Sequence, residues 1–438
     1  MALAVAGLST AAFAQTNVTI YGVADVSAQG TNMGKGSALG ANPADGGAFN
    51  LKSNSSLIGF KGTEDLGNGL KALFQIETNV NVTGGGTGPV ANTGNSAFGS
   101  LRDTYVGVSS KYGTAMGGYL STPFRSTLTS FDVMPGATGD GRIENLMGNM
   151  RMTGSALGYA ANTGYLQASS SVRATALAYA LPTLYGFNGS IAYTGSNNNG
   201  STNQTTVGPV TENSTGTSIT SQTVAAPQSA LSMNLGWTGY GVNVAGAFQQ
   251  AKVNNSFTYS GPVTVSGTDP VTGVTGNTSV TANGSGTLNA QTYTSYLIGA
   301  SYTGLPGLKA SVVYNRNTLS TNNPNTNSLL NGASKISNNG IYVGASYRFG
   351  NNEPRLSYAN LSNTTGANSA YYGGQDGANQ WTANWGYYLS KRTQVYGLVS
   401  YLKNNANSNY SMASGGTSIQ PTAGQNLTTY GVGMRTNF

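Results

Sequence analysis

Short and long connections alternate along this chain from one end to the other. Turn-like runs fall at 64–69, 110–113, 181–186, 238–241, 303–307, 349–354 and 389–391. Long stretches rich in Asn, Ser, Thr and Gly fall near 28–55, 79–100, 120–172, 195–229, 252–290, 317–338, 361–378 and 404–426. Seven short and eight long connections join sixteen segments, with both ends of the series on the short side. A sandwich or a solenoid has no need to make every second connection long. A closed antiparallel sheet with one elaborated rim does, and its strand number is even.

The segments themselves alternate with period two, as strands with one apolar face do. "NVTIYGVADV" puts Val18, Ile20, Gly22, Ala24 and Val26 on one face, and Thr19, Tyr21, Val23 and Asp25 on the other. "GLKALFQIET" opposes Leu70, Ala72, Phe74 and Ile76 to Lys71, Leu73, Gln75 and Glu77. "TYGVGMRTNF" opposes Tyr430, Val432, Met434, Thr436 and Phe438 to Arg435 and Asn437. A charge facing lipid at mid-depth costs roughly 2–4 kcal/mol, so Asp25, Lys61, Lys71, Gln75, Glu77 and Arg435 are expected on the inner face. Lys61 and Lys71 adjoin a short turn and belong near that rim. No run reaches the ~18 apolar residues of a spanning helix, so a membrane could be crossed only by a barrel. The expected fold is therefore all-β: a 16-stranded antiparallel transmembrane β-barrel with short periplasmic turns and long outer loops. Tyrosines at strand ends, such as Tyr342 and Tyr347 or Tyr387 and Tyr388, are expected in the interfacial girdles.

Composition removes most chemistry. The chain has no Cys and no His, which excludes thiol catalysis, disulfides, His-ligated metals and a Ser-His-Asp triad. The 13 carboxylates are scattered, so no enzyme, metal or other cofactor is expected. "GDGRIE" lacks the ligand spacing of a calcium loop. The net charge of +7 comes from basic residues spread along the chain without a run, so no nucleic-acid partner is expected. Residues 1–14 form an apolar stretch ending in Ala12-Phe13-Ala14, read as a cleaved export signal whose basic start is missing. The barrel is then expected over 15–438.

Several stretches carry a family resemblance. "GFKGTEDLGNGLKALFQIE", "LRDTYVGVSSKYGT", "YYLSKRTQVYGLVSYLKN" and the closing "YGVGMRTNF" are similar to hairpins of the general trimeric porins of Gram-negative, β-proteobacterial outer membranes. The N-terminal "NVTIYGVADV" fits the same pattern. The resemblance implies a homotrimer in the cell outer membrane that passes small hydrophilic solutes and ions. It implies contact with outer-membrane lipid and lipopolysaccharide, and insertion by the barrel assembly machinery. It further implies a third loop folded into the pore, here 121–171, which carries Arg125, Asp132, Asp140, Arg142, Glu144 and Arg151. Phe438, Met434, Val432 and Tyr430 resemble the assembly signal.

Arg102 matches a wall arginine of the family. Leu57 stands where a second is expected, Gly118 and Tyr119 where a third is, and Leu177-Ala178-Tyr179 where a fourth is. With one wall arginine matched, a passive and weakly selective pore is expected. The alternative is a surface adhesin or structural barrel acting through its long polar loops. Charged positions inside the strands favour the pore.

Overall fold

The computed structural model describes residues 17–34, 48–83, 98–134, 139–153, 165–195, 229–268, 275–321, 334–366, 374–412 and 421–438. The segment 1–14 lies outside them. The described residues form one closed antiparallel barrel of sixteen strands. In chain order these are β1 (Asn17–Met33), β2 (Ala48–Ser53 resuming as Leu57–Gly67), β3 (Leu70–Val80), β4 (Phe98–Leu101 resuming as Thr104–Ser110) and β5 (Gly113–Ser121). After the third loop come β6 (Arg173–Ala180), β7 (Phe187–Thr194), β8 (Ser229–Gly239), β9 (Val242–Thr268), β10 (Thr275–Tyr302) and β11 (Leu308–Thr321). The rest are β12 (Lys335–Tyr347), β13 (Asn352–Leu361), β14 (Ala378–Tyr388), β15 (Thr393–Asn404) and β16 (Leu427–Asn437).

Period two and closure have one cause. Each unpaired N–H or C=O in hydrocarbon costs several kcal/mol, and a closed sheet has no edge to leave unpaired. Here β1 pairs with β16 from Val23–Asn437 to Met33–Leu427 and with the lower part of β2 from Asn17–Thr63 to Val23–Leu57. The two faces separate by chemistry: Val432 is 66 % exposed outside, whereas Thr429 is fully buried inside.

Two breaks shift the parity of the strands. Between Ser53 and Leu57, Ser55 takes a left-handed φ of 54°, and Asn54 N–H donates to Asp25 O at 2.8 Å. In β4, Arg102 and Asp103 lie between the two paired segments, and Arg102 N–H donates to Glu77 O at 2.9 Å.

Three expectations need correction. The stretch 252–290 is largely strand, because β9 and β10 continue to pair with each other up to Thr268–Thr275. Among the described residues, pairing with their outer neighbours ends at Lys252 and Gln291. Tyr342 is not in a girdle: it is 1 % exposed and faces inward, since even positions of β12 point to the lumen. Tyr388 also turns inward and donates to Glu353 at 2.6 Å, whereas Tyr347 and Tyr387 are exposed on the outer face.

The seam where the barrel closes carries its own polar lock. Asp25 Oδ2 accepts from Arg435 Nη1 at 3.2 Å, and Asp25 Oδ1 accepts from Tyr396 Oη at 2.7 Å and Asn54 Nδ2 at 3.4 Å. Asp25 is fully buried, and the two ion-pair partners oppose each other directly in the β1–β16 register. Phe438 exchanges both backbone hydrogen bonds with Gly22 at 3.0 Å, and its ring fills the space that a Gly22 side chain would need. Replacing Asp25 by Ala leaves Arg435, Tyr396 and Asn54 short of an acceptor and is expected to cost about 3–5 kcal/mol. The midpoint of heat-induced unfolding in detergent, read as a gel-mobility shift, should fall. Adding Arg435→Ala should restore part of the loss.

Candidate functional site

The third loop leaves the wall at Thr122 and returns at Val172. Thr122 N–H and Oγ1–H both donate to Val172 O, each at 3.1 Å, which closes the loop base. Thr122 also caps helix α1 (Pro123–Ser130): its Oγ1 accepts from Arg125 N–H at 3.3 Å, and Pro123 stands in the first turn, where no N–H partner is needed. The helix is followed by two short 3-10 turns, Gly139–Gly141 and Ile143–Asn145, and by a two-stranded hairpin, Asn149–Thr153 with Tyr165–Ser169.

The loop lies inside the barrel because its apolar side chains are seated on the wall. Phe124, Leu128, Phe131, Ile143, Leu146, Met147 and Met150 are all essentially unexposed. The seats are glycines. A Cβ on Gly299 of β10 would stand 2.6 Å from the Phe131 ring. On Gly344 of β12 it would meet Val133 at 2.8 Å, and on Gly340 the Met147 sulfur at 2.9 Å.

Wall polar groups satisfy the loop backbone. Tyr293 Oη donates to Gly148 O at 3.0 Å, and Gly148 N–H donates to Asn315 Oδ1 at 2.9 Å. Asn317 Nδ2 donates to Asn149 O at 3.1 Å, and Phe124 N–H donates to Ser232 Oγ at 3.0 Å. Residues of the last outer loop join in: Arg151 N–H donates to Tyr410 Oη at 2.9 Å and Arg151 Nη1 to Asn409 O at 2.8 Å.

The six loop charges divide by role. Asp132 accepts from Met134 N–H at 2.9 Å, Ile143 N–H at 3.0 Å and Tyr342 Oη at 3.2 Å, so it organises the turn after α1. Burial pushes its carboxyl up to about 6 against those donors. Asp140 reaches Lys52 of β2 at 3.3 Å, both nearly unexposed, while Gln380 Nε2 of β14 donates to Asp140 O at 2.6 Å. That pins the loop tip beside the seam. Arg151 is held by the last loop. Arg125 and Glu144 form an ion pair with each other, and Ser171 bonds to both. Arg142 has no ion-pair partner among the described residues, and its Nε is buried without a hydrogen bond.

The opposing wall is built from β2 to β6. Arg102 pairs with Glu77 and donates to Asn79 Oδ1 at 3.2 Å. Tyr21 Oη donates to Glu77 at 3.1 Å, and Tyr105 Oη donates to Gln75 Oε1 at 3.4 Å. Arg173 Nε donates to Asp103 at 3.0 Å, which also accepts Ser121 N–H at 2.7 Å. Arg125 of the loop feels Arg173, Arg142 and Arg102 electrostatically, and burial, the largest influence, pushes its guanidinium below the ordinary value. Wall and loop charges thus influence one another.

The remaining expected wall residues scatter. Lys61 and Lys71 are exposed toward the short-turn rim, with the Lys61 ammonium 5.1 Å over the Tyr21 ring. Leu57 opposes Val23 and Asn79 in the inward row. Tyr119 is corrected: it opposes Thr104 and Thr175, in the row of the exposed Val106 and Leu177, so strand parity sends it outward. Asp25 and Arg435 are spent on the seam. Tyr430, Val432 and Met434 are exposed on the outer face.

Arg173, Asp103, Lys52 and Lys309 escaped sequence reasoning. Lys309 Nζ donates to Asp132 O at 2.6 Å and Ser130 O at 3.0 Å. For Arg173 and Asp103 the available signal was position: both adjoin a long loop, as Arg102 does.

The Gram-negative porin family model matches residues 2–407. The major outer membrane protein P.IB of Neisseria gonorrhoeae is 28 % identical over 46 % of this chain and 49 % of that protein. The outer membrane porin protein 32 of Delftia acidovorans is 31 % identical over 44 % and 48 %. The alignments span about half the length of these curated relatives. In fold, the chain resembles an anion-selective porin from Comamonas acidovorans with a TM-score of 0.63 at 21 % identity, covering 97 % of this chain and 100 % of that one. The chain belongs to the Gram-negative porin family and forms an outer-membrane β-barrel.

Proposed function

We propose that the barrel is a passive diffusion pore for small hydrophilic solutes and ions, with weak selectivity. The charge balance at the narrow space carries this reading. Arg102, Arg173 and Arg125 are each matched by a carboxylate: Glu77, Asp103 and Glu144. Among the described residues of the third loop, Arg142 is left without an ion pair. One unmatched charge about 8 Å from a passing ion in water is worth roughly 0.5 kcal/mol, a factor of two or so, and salt screens it further. A transverse array of paired charges orients dipolar solutes without binding them tightly, which is what conduction requires.

The homotrimer, the lipid and lipopolysaccharide contacts and the role of the assembly machinery rest on the family resemblance. The outward row Tyr430, Val432, Met434 and Phe438 is proposed as the assembly signal, and deleting Phe438 should lower the yield of folded protein.

Single-channel recording in a salt gradient should give a small reversal potential on the anion side, and Arg142→Ala should move it toward zero or past it. A reversal potential near the chloride limit would sink the weak-selectivity reading. In liposomes, the folded protein should admit small sugars; absence of swelling would favour the surface-binding alternative.

Acid should loosen the loop. Burial alone would raise the Glu144 carboxyl, but Arg125, with Arg142 and Arg173, holds it below its usual range. Its contribution is therefore complete above the ordinary carboxylate pKa and is lost as pH falls through the lowered value. Asp132 has the opposite sign: its raised pKa favours the docked loop at low pH, and that contribution is lost as pH rises through about 6. Open-channel noise should thus increase at strongly acidic pH, and Glu144→Gln should show the same noise already at neutral pH.

A further inference from the structure

On the outer face of β9 to β12 the apolar band gives way to cations. Val244, Ile298, Val312 and Ile341 are exposed on that face. Unbroken pairing carries the same outward rows up to Lys252 on β9, Arg316 on β11 and Lys335 on β12, and all three are exposed. Lys252 opposes Thr292, Thr292 opposes Ser320, and Ser320 opposes Lys335. The two lysines therefore end one hydrogen-bonded row across four strands. With strands about 4.8 Å apart, their Cα atoms lie roughly 14 Å from each other.

Arg316 starts lower, opposite Tyr296 and Asn339, and reaches toward that row. Its Nη1 donates to Asn339 Oδ1 at 3.1 Å and its Nη2 to Ser337 Oγ at 3.0 Å. Ser337 is the outward residue next below Lys335. Tyr314 Oη donates to the same Asn339 Oδ1 at 2.9 Å, which steadies the arrangement. No Asp or Glu occurs in β9 to β12. None of the three cations joins an ion pair among the described residues.

Their height is that of lipid head groups. Lys252 stands ten residues above Val242, the short-turn end of β9, and Lys335 twelve above Tyr347, that of β12. A strand tilted by about 40° climbs roughly 2.6 Å per residue, which lifts the lysines about 26 and 31 Å above that rim. The apolar band of such a barrel is ~25 Å tall, so both stand just past its outer edge. The Phe248 and Tyr296 rings, 5.2 Å apart, mark that edge below them.

We infer that this face binds the phosphorylated head group of an outer-leaflet glycolipid, with its phosphates on Lys252, Arg316 and Lys335. The inference rests on the outer-membrane placement of the barrel and is independent of pore selectivity. Three cations without a counter-charge favour a head group with two phosphates over a phospholipid with one, because attraction grows with each added charge. The competing occupant is a second copy of this chain, which would have to bring carboxylates to the same face.

The test is native mass spectrometry of the folded protein in neutral detergent. The probes are bisphosphorylated lipid A, the same lipid stripped of phosphate, and phosphatidylglycerol. Lipid A should be retained well above both others, and less so as salt rises. Lys252→Gln, Arg316→Gln and Lys335→Gln should each weaken its retention roughly fivefold, and all three together about a hundredfold. Heat-modifiable mobility should stay native, since the three side chains are exposed. Lys391→Gln, in an exposed turn at the opposite rim, should change nothing. Equal retention of lipid A with and without phosphate would overturn the proposal, as would phosphatidylglycerol held as strongly as lipid A. So would an equal loss in Lys391→Gln. Unchanged lipid A retention in the triple variant together with loss of the oligomer would also overturn it and assign the face to a second copy.

Discussion

The backbone's need for hydrogen bonds in hydrocarbon is the constraint on which the rest of this molecule depends. Once every strand must have two neighbours, the sheet closes and side chains must alternate between lipid and lumen. Closure creates a seam between distant parts of the chain. Here the seam is reinforced by Asp25 and Arg435, which oppose each other in register. Charges that parity assigns to a pore wall can therefore be consumed in holding the wall together.

The same constraint leaves the lumen to be furnished by other means. Sixteen strands enclose more space than side chains fill, and the third loop occupies much of it. Its docking depends on shape as much as on polarity. Gly299, Gly340 and Gly344 remove side chains where Phe131, Met147 and Val133 press on the wall. Around these contacts, Asn and Tyr side chains of the wall complete the backbone bonds of an irregular segment, as buried backbone requires. On the side of β2 to β6, the arginines Arg102 and Arg173 are each paired with a carboxylate.

The architecture was legible because alternation repeats: period two within strands, and short with long between them. Individual positions were legible only where parity is unbroken. It holds through β3, which is why Gln75 and Glu77 were assigned to the inner row. It fails at 54–56 and 102–103, where extra residues let Lys52, Asn54 and Leu57, or Arg102 and Asp103, all serve the lumen side. Such breaks leave no sign in hydrophobicity. Tyr119 was misplaced by aligning it with a family arginine rather than counting from Val106. Arg173 lies four positions before 177, where the resemblance expects a wall arginine. Tyr342 resembled a girdle residue until its partner, Asp132, appeared more than two hundred positions earlier in the chain.

The loop's seats have a consequence in time. The loop is made from residues 122–172, yet Gly299, Asn315, Asn317, Tyr342, Gln380 and Tyr410 all follow it in sequence. Lys52 of β2 precedes the loop, but most of its seats come from the second half of the barrel. A chain arrested before β14 would offer the seats of β10 to β12 but would lack Gln380 and Tyr410, which hold Asp140 and Arg151. The seating of the loop thus depends largely on strands that follow it in the chain.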